Sequence, residues 1–352
     1  MNEPAARIGS EDGGRARGWG ALVWRSFKRD RLAVVSLWII AAMFALSYLA
    51  PVIASDKPLF MKWEGRVYFP AVADLFPFKL VARYPELRTV DYAKLRDEGG
   101  IPRLMPPIPF SPYETSLAEK LAAPDRRHWM GTDDLGRDVC SRMIHGASVS
   151  LKVGFVAVGI SVVIGLFFGA VAGYYGGVAD VLVSRLIEIV MCFPFFFLIL
   201  AVIAFLPPNI FGIMAVIGLT RWTAIARYAR GEILKIKGLE YAQAARALGA
   251  GDRKIIFRHV LPNSMAPVLV TATFSVANAI LIEAALSFLG MGIQPPMASW
   301  GGILATAREF IEVAWWLATF PGLAIFLTVT AYNLAGEGLR DATDPRLALP
   351  ER

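Results

Sequence analysis

The sequence predicts an all-α membrane protein with six transmembrane helices and both termini on the inner side. Three observations carry this reading. Of 352 residues, 56% are hydrophobic, and the mean hydropathy is +0.50, beyond the apolar share of roughly 45–50% usual in soluble domains. Six apolar runs approach or exceed the roughly 20 helical residues needed to cross a hydrocarbon core. Lysine and arginine, finally, are concentrated in two of the connecting segments.

The first run, Leu32 to about Ala54, and the second, about Val153 to Tyr174, are free of charge. The third, about Ile189 to Leu206, and the fourth, Ile210 to about Ala226, are separated only by Pro207, Pro208 and Asn209, which predicts a tight hairpin on one side of the membrane. Arg221 enters the last turns of the fourth run, where a long side chain near a helix end can snorkel to the headgroups. The fifth run extends from about Met265 to Leu289 and the sixth from about Val313 to Leu334.

The segment before the first run holds Arg7, Arg15, Arg17, Arg25, Lys28, Arg29 and Arg31. The segment after the fourth holds Arg227, Arg230, Lys235, Lys237, Arg246, Arg253, Lys254 and Arg258. The positive-inside rule places both in the cytoplasm. The chain then divides into an inner N-terminal segment (1–31), a first span (32–54), an extracytoplasmic segment (55–145), a membrane core (146–336) with an inner loop at 227–264, and an inner tail (337–352). Residues 1–18 have the composition of a disordered segment. Residues 19–31 read either as an amphipathic surface helix, with Leu22, Trp24 and Phe27 toward lipid, or as an extension of the first span. The Pro- and aromatic-rich stretch at 56–127 predicts a cap with little regular structure.

The net charge of +7 follows from this inner-face bias, and no basic patch with interleaved aromatics points to nucleic acid. A removable signal peptide is not expected, and Cys140 and Cys192 imply no disulfide framework. There is no phosphate-binding G-x-x-x-x-G-K-[ST] loop and no G-x-S-x-G elbow. His128, His145 and His259 lack partners at metal-ligand spacing. The run GTDDLGRD, 131–138, is read as a turn and helix cap rather than a calcium loop. An enzyme is therefore not expected.

Three features remain. Gly165, Gly169 and Gly173 place a flat stripe on one face of the second span, which serves either a subunit seam or packing within the chain. Glu283 interrupts the fifth run, as a pathway residue or as a structural pair to a neighbouring helix. Arg185 and Glu188 are spaced for a local ion pair. The inner loop reads YAQAARALGAGDRKIIFRHVLPN, 241–263. Tyr241, Ala244, Ala245 and Leu248 recur at helical spacing, Gly249 supplies the left-handed position that ends the helix, and Asp252 starts a second short helix through about Val260, stopped by Pro262. Such a knob fits a groove on a cytoplasmic protein or rests on lipid, although its alanine face offers lipid little area.

The loop resembles the E-A-A-x-x-x-G, nine residues, I-x-L-P pattern of bacterial binding-protein-dependent ABC transporter permeases. The matching positions are Gln243, Ala244, Ala245, Gly249, Leu261 and Pro262, with Gln243 replacing the acidic residue and His259 the isoleucine. From about His128 to Arg346 the chain is similar to dipeptide and oligopeptide permeases, in the blocks GTDDLGRDVCSRMIHGASVSL, GYYGGVADVLVSRLIEIVMCFPF, EAALSFLGMGIQPP and FPGLAIFLTVTAYNLAGEGLRDATDPR. The outer run ASDKPLFMKWEGRVYFP is similar to permeases for microcin C-type peptide-nucleotides and oligopeptides. The resemblance implies a type I ABC importer permease of the bacterial inner membrane. It implies a second permease subunit, ATPase subunits that bind ATP and magnesium outside this chain, an extracytoplasmic substrate-binding protein and a peptide cargo. It assigns Glu240, Gln243, Ala244, Ala245, Leu248, Gly249, Leu261 and Pro262 to ATPase coupling. The opposing expectation is a stand-alone secondary transporter or channel, for which the intramembrane ionisable group identified is chiefly Glu283. A sensor is disfavoured by the short tail.

Overall fold

A computed structural model describes residues 19–75, 84–87, 90–98, 103–206 and 209–344. The expected disordered N-terminus, both prolines of the 207–209 hairpin and the end of the inner tail lie outside these residues. The principal helices among the described residues are α1 (Trp19–Phe27), α2 (Arg31–Tyr48), α3 (Val139–Tyr175), α4 (Gly177–Cys192), α5 (Phe195–Ala204), α6 (Ile210–Lys237), α7 (Glu240–Ala247), α8 (Asp252–Phe288), α9 (Trp300–Phe310) and α10 (Trp316–Thr343). Five are long and apolar enough to cross a membrane, namely α2, α3, α6, α8 and α10, and the bent pair α4 and α5 makes a sixth span if counted as one.

Side-chain caps start four of these helices by satisfying amides that have no intrahelical partner. Asp30 accepts from the Leu32 amide at 2.8 Å, Asp138 from Ser141 at 2.6 Å, Asn209 from Gly212 at 2.5 Å and Ser299 from Gly302 at 3.1 Å. GTDDLGRD is thus a turn and cap: Gly131 and Gly136 adopt φ of +74° and +71°, and Asp138 opens α3.

Several boundaries depart from the sequence reading. The second span, α3, begins at Val139, well before Val153, because the cap at Asp138 outranks the apolar threshold. The third span is not straight: α4 and α5 meet at 80°. Pro194 carries no N–H to continue the α4 ladder, and it holds the preceding Phe193 in extended backbone (φ −87°, ψ 132°). The fourth span does not end near Ala226 but continues as helix to Lys237. Arg221 consequently lies well inside the helix, about 16 Å from the Ile210 end at roughly 1.5 Å per residue. Nor does Pro262 stop the helix that begins at Asp252. A π-turn at Ile256–Val260, in which the Leu261 amide bonds to the Ile256 carbonyl, widens the helix ahead of the proline, so α8 runs unbroken into the membrane. The last span is Trp316–Thr343 instead of Val313–Leu334.

The outer segment holds more regular structure than expected. Strands β1 (Phe60–Trp63), β2 (Arg66–Tyr68) and β3 (Arg103–Leu104) form an antiparallel sheet in the order β2-β1-β3, with Met61 opposite Tyr68 and Phe60 opposite Leu104. Glu64 and Gly65, at φ of 46° and 81°, make the two-residue turn between β1 and β2, the backbone twist that suits a hairpin. Met61, Tyr68 and Leu87 form its core. Phe27 does not face lipid: at 6% exposure it packs beside Gly338 of α10 and Ala33, whereas Leu22 and Trp24 are exposed as expected.

The main seam joins α3 to α6. A Cβ on Gly165 would lie 2.9 Å from the Trp222 carbonyl oxygen, one on Gly169 2.8 Å from that of Ala226, and one on Gly173 2.9 Å from that of Arg230. Gly218 of α6 answers against the Ala157 carbonyl, and the Ser161 hydroxyl donates to the Gly218 oxygen at 2.9 Å. The glycine stripe therefore packs against a helix of its own chain, with backbones closer than any side chain allows.

Gly169→Leu should overpack this seam by about 1–3 kcal/mol or more, lowering the thermal midpoint in detergent. Gly159→Leu, on the same helix with nothing near its Cβ position, should not; equal midpoints for the two would refute the seam. In the outer cap, His128 Nδ1 lies 2.8 Å from Asp138 Oδ2 and its Nε2 3.5 Å from Glu119. The Asp138 hydrogen bond chiefly raises the His128 pKa, against the opposing effect of burial. The folded state thus binds this proton more tightly, so the stabilisation is complete below the ordinary value of about 6.5 and is lost as pH rises through the folded value. Hydrogen-exchange protection of residues 128–142, corrected for intrinsic rate, should be greater at pH 6 than at pH 8, and His128→Gln should flatten the difference. Identical wild-type protection at both pH values would contradict the linkage.

Candidate functional site

On the inner side, α7, a tight turn and the first turns of α8 form a projection between two spans. Glu240 lies exposed in the first turn of α7. Gln243 donates from Nε2 to the Gly238 carbonyl at 3.0 Å, a bond across the junction with α6. Gly249 ends the helix at φ +80°, with nothing within 4 Å of its Cβ position, so backbone conformation and not space demands glycine there. The face inferred from spacing divides in two. Ala242 is buried, and Ala245 and Ala250 pack against the cluster of Tyr174, Ile233, Ile255 and Val260. Tyr241, Ala244 and Leu248 point outward, Leu248 at 88% exposure. Leu261 and Pro262 belong to α8 itself, just past the π-turn. Asp252 is the first helical residue, with Gly251 at the cap position.

What holds this projection was not read from the sequence. Tyr174, 2% exposed near the inner end of α3, donates its hydroxyl to Asp252 Oδ1 at 2.6 Å and accepts from Arg246 at 3.0 Å. Lys237 at the end of α6 donates to the Tyr174 carbonyl. One phenol therefore joins α3, α7 and α8. The available signal was its position: an aromatic ring with a polar tip, at an interface-level helix end, just before a glycine pair. Close by, Arg230 of α6 makes a bidentate pair with Asp180 of α4, its second contact at 2.7 Å. Arg185 and Glu188 form the expected local pair at 2.5 Å.

Toward the outer side, Glu283 of α8 is completely buried. It accepts from Ser150 of α3 at 3.0 Å and from Ser287 at 2.8 Å. Ser287 in turn accepts from the Ile293 amide at 3.2 Å and lies 3.5 Å from the Ser299 hydroxyl at the head of α9. Gly301 brings α9 so close to α8 that a Cβ there would lie 2.6 Å from the Ala284 Cα. Glu283 is thus enclosed by α3, α8 and the start of α9, hydrogen-bonded to both helices. It does not meet the projection, and the two sites are connected through the length of α8.

The class so defined is a multi-pass helical membrane protein whose spans are continuous with a braced inner projection. Residues 165–349 match the family described as binding-protein-dependent transport system inner membrane component, and residues 18–68 match the N-terminal TM domain of oligopeptide transport permease C. The chain belongs to the family of binding-protein-dependent transport system inner membrane components, and is a membrane-embedded permease component of such a system. It is 42% identical over 234 residues, 66% of this chain and 77% of the other, to the dipeptide transport system permease protein DppC of Alkalihalophilus pseudofirmus. It is 45% identical over 63% of this chain and 73% of the other to the di/tripeptide transport system permease protein DppC of Pseudomonas aeruginosa. The glutathione transport system permease protein GsiD of Pectobacterium atrosepticum is 42% identical over 64% of this chain and 74% of its own. Among solved structures, an inward-facing MetNI methionine ABC transporter aligns with 57% of this chain and 96% of that one, at 20% identity and a TM-score of 0.47.

Tyr174→Phe should keep the packed ring but remove its bonds to the charged side chains of Asp252 and Arg246. Hydrogen exchange across 240–256 should accelerate while that of 139–160 is unchanged. Unchanged exchange in the projection would remove Tyr174 from its bracing role.

Proposed function

We propose that this chain is one of two permease subunits of an ATP-driven ABC importer for peptides or peptide-like compounds, working with cytoplasmic ATPase subunits and an extracytoplasmic substrate-binding protein. ATP and magnesium are bound by the ATPases. The observation that carries the reading is the inner projection. Its outward face presents Tyr241, Ala244 and Leu248, its turn is set by Gly249, and its second helix is one piece with a membrane span. A helix presented this way fits a groove on a second protein. Because α8 extends from that projection to the buried Glu283 hub, a displacement of the inner end is carried as tilt or translation to the outer half. The permease transmits differential contacts and so shifts an existing inward/outward equilibrium; the free energy comes from the nucleotide cycle. The names of its relatives, which specify dipeptides, di/tripeptides and glutathione, support peptidic cargo. Gln243 is neutral where the resemblance has an acidic residue, and in this chain its amide is engaged with Gly238, so docking here rests on shape and apolar contact.

Co-expression with candidate partner subunits, followed by purification and peptide uptake into proteoliposomes, tests this. Uptake should require ATP, the ATPases and the binding protein. Gly249→Val, which forces a β-branched residue into a left-handed conformation at a cost of about 1–2 kcal/mol, should cut ATPase recovery and uptake about tenfold with membrane insertion intact. Uptake by this chain alone would instead identify a secondary transporter, and full ATPase recovery with the variant would remove the projection from coupling.

A further inference from the structure

The bend between α4 and α5 opens a cavity of about 720 Å³ against α6, walled by Met191, Phe193, Phe195 and Tyr228 and reached by Arg221 and Arg227. Three contacts set its depth. Asp180 at the start of α4 meets Arg230, Met191 near the end of α4 meets Arg227 at 3.5 Å, and Phe195 at the start of α5 lies under the Arg221 guanidinium at 4.6 Å. α4 thus crosses α6 obliquely. The non-helical link at Phe193 and Pro194 falls at the level of Arg221, about 16 Å from the outer end of α6. Broken backbone and a guanidinium at such depth are both costly in lipid, and both are tolerated where they face protein or a water-filled cavity.

The charge balance of this cavity is one-sided. Asp180 is engaged by Arg230. Among the described residues no carboxylate pairs with Arg221 or Arg227; their contacts are the Phe195 ring and the Met191 sulfur. Acyl chains cannot neutralise them. Any counter-charge for them must therefore enter the cavity from outside these residues, and its volume is that of an ordinary small-ligand site of roughly 300–1,000 Å³. Interrupted helices are where transporters place such sites. A peptide carries an anion that every sequence shares, its terminal carboxylate, and a planar guanidinium is matched to it.

We propose that Arg221, backed by Arg227, is an anion station inside the membrane that receives the terminal carboxylate of the passing peptide, an inference that rests on the peptide-import reading above. The aromatic and methionine walls accept side chains of varied shape without selecting among them.

The test has two arms, both in the assembled transporter in membrane vesicles with Cys192→Ser as background. In the first, Ala224→Cys, one turn from Arg221 and lining the cavity, is labelled with an anionic and with a cationic methanethiosulfonate. The anionic reagent should react about tenfold faster, the scale of electrostatic focusing in a charged cleft, and Arg221→Gln should bring the ratio near unity. In the second, uptake of trialanine and of its C-terminal amide is compared at saturating binding protein, omitting Ala224→Cys. Arg221→Gln should reduce uptake of the acid about tenfold and leave the amide unchanged, with Arg221→Lys intermediate. A reagent ratio near unity in the parent, or equal loss of acid and amide, would overturn the station. Loss of the second permease from purified Arg221→Gln complexes would show that the arginine pairs with a partner carboxylate instead. If neither peptide is taken up while the anionic preference stands, the peptide reading fails and the anion site is supported.

Discussion

The close approach of α3 and α6 is the constraint on which the rest depends. Three glycines on one helix and Gly218 on the other remove the side chains that would hold two spans apart, and dispersion contact and the Ser161 hydrogen bond replace them. Once the axes are locked at that distance, Tyr174 at the inner end of α3 lies beside the inner end of α6, within reach of whatever follows it. The opposite face of α6 is left to meet the bent pair, which places Arg221 against Phe195. Inner projection and intramembrane cavity are therefore two consequences of one seam.

A second consequence concerns α8. It is fastened to α3 through polar contacts at both levels, by Asp252 to Tyr174 on the inner side and by Glu283 to Ser150 toward the outer. Between them the helix contains a π-turn and Pro262 and Pro267, all within its inner half. The inner fastening is half-exposed and involves charged side chains, and the outer one is wholly buried. Such a helix yields more readily at its inner end than at its outer end.

Much of this was legible in the residues. The turn and cap at 131–138, the left-handed Gly249, the close-packing stripe and the apolar runs each report a local or near-local requirement, and the family pattern lies in a contiguous stretch of the inner loop. Misreadings came where a local rule met tertiary context. Pro262 reads as a stop, but a widened turn absorbs it. Pro194 sits unremarked within an apolar run, yet it breaks the span. Arg221 reads as the end of a span because hydropathy falls there, although the helix continues for about another 24 Å. Tyr174 lies 72 residues from Arg246 and 78 from Asp252, and only their convergence gives the phenol its role.

By itself the sequence determined that the chain crosses a membrane about six times, the orientation to expect for those spans, which family it belongs to, and where the inner projection lies. These follow from transfer free energy, charge asymmetry and backbone preference, all of which act within a few turns of chain. Tertiary structure alone decided which helix the glycines would meet, that Glu283 would be enclosed by serines, that one phenol would brace the projection, and that Arg221 would face a cavity. Each of those depends on which segments come together in space, and periodicity along a single segment carries no record of its partner.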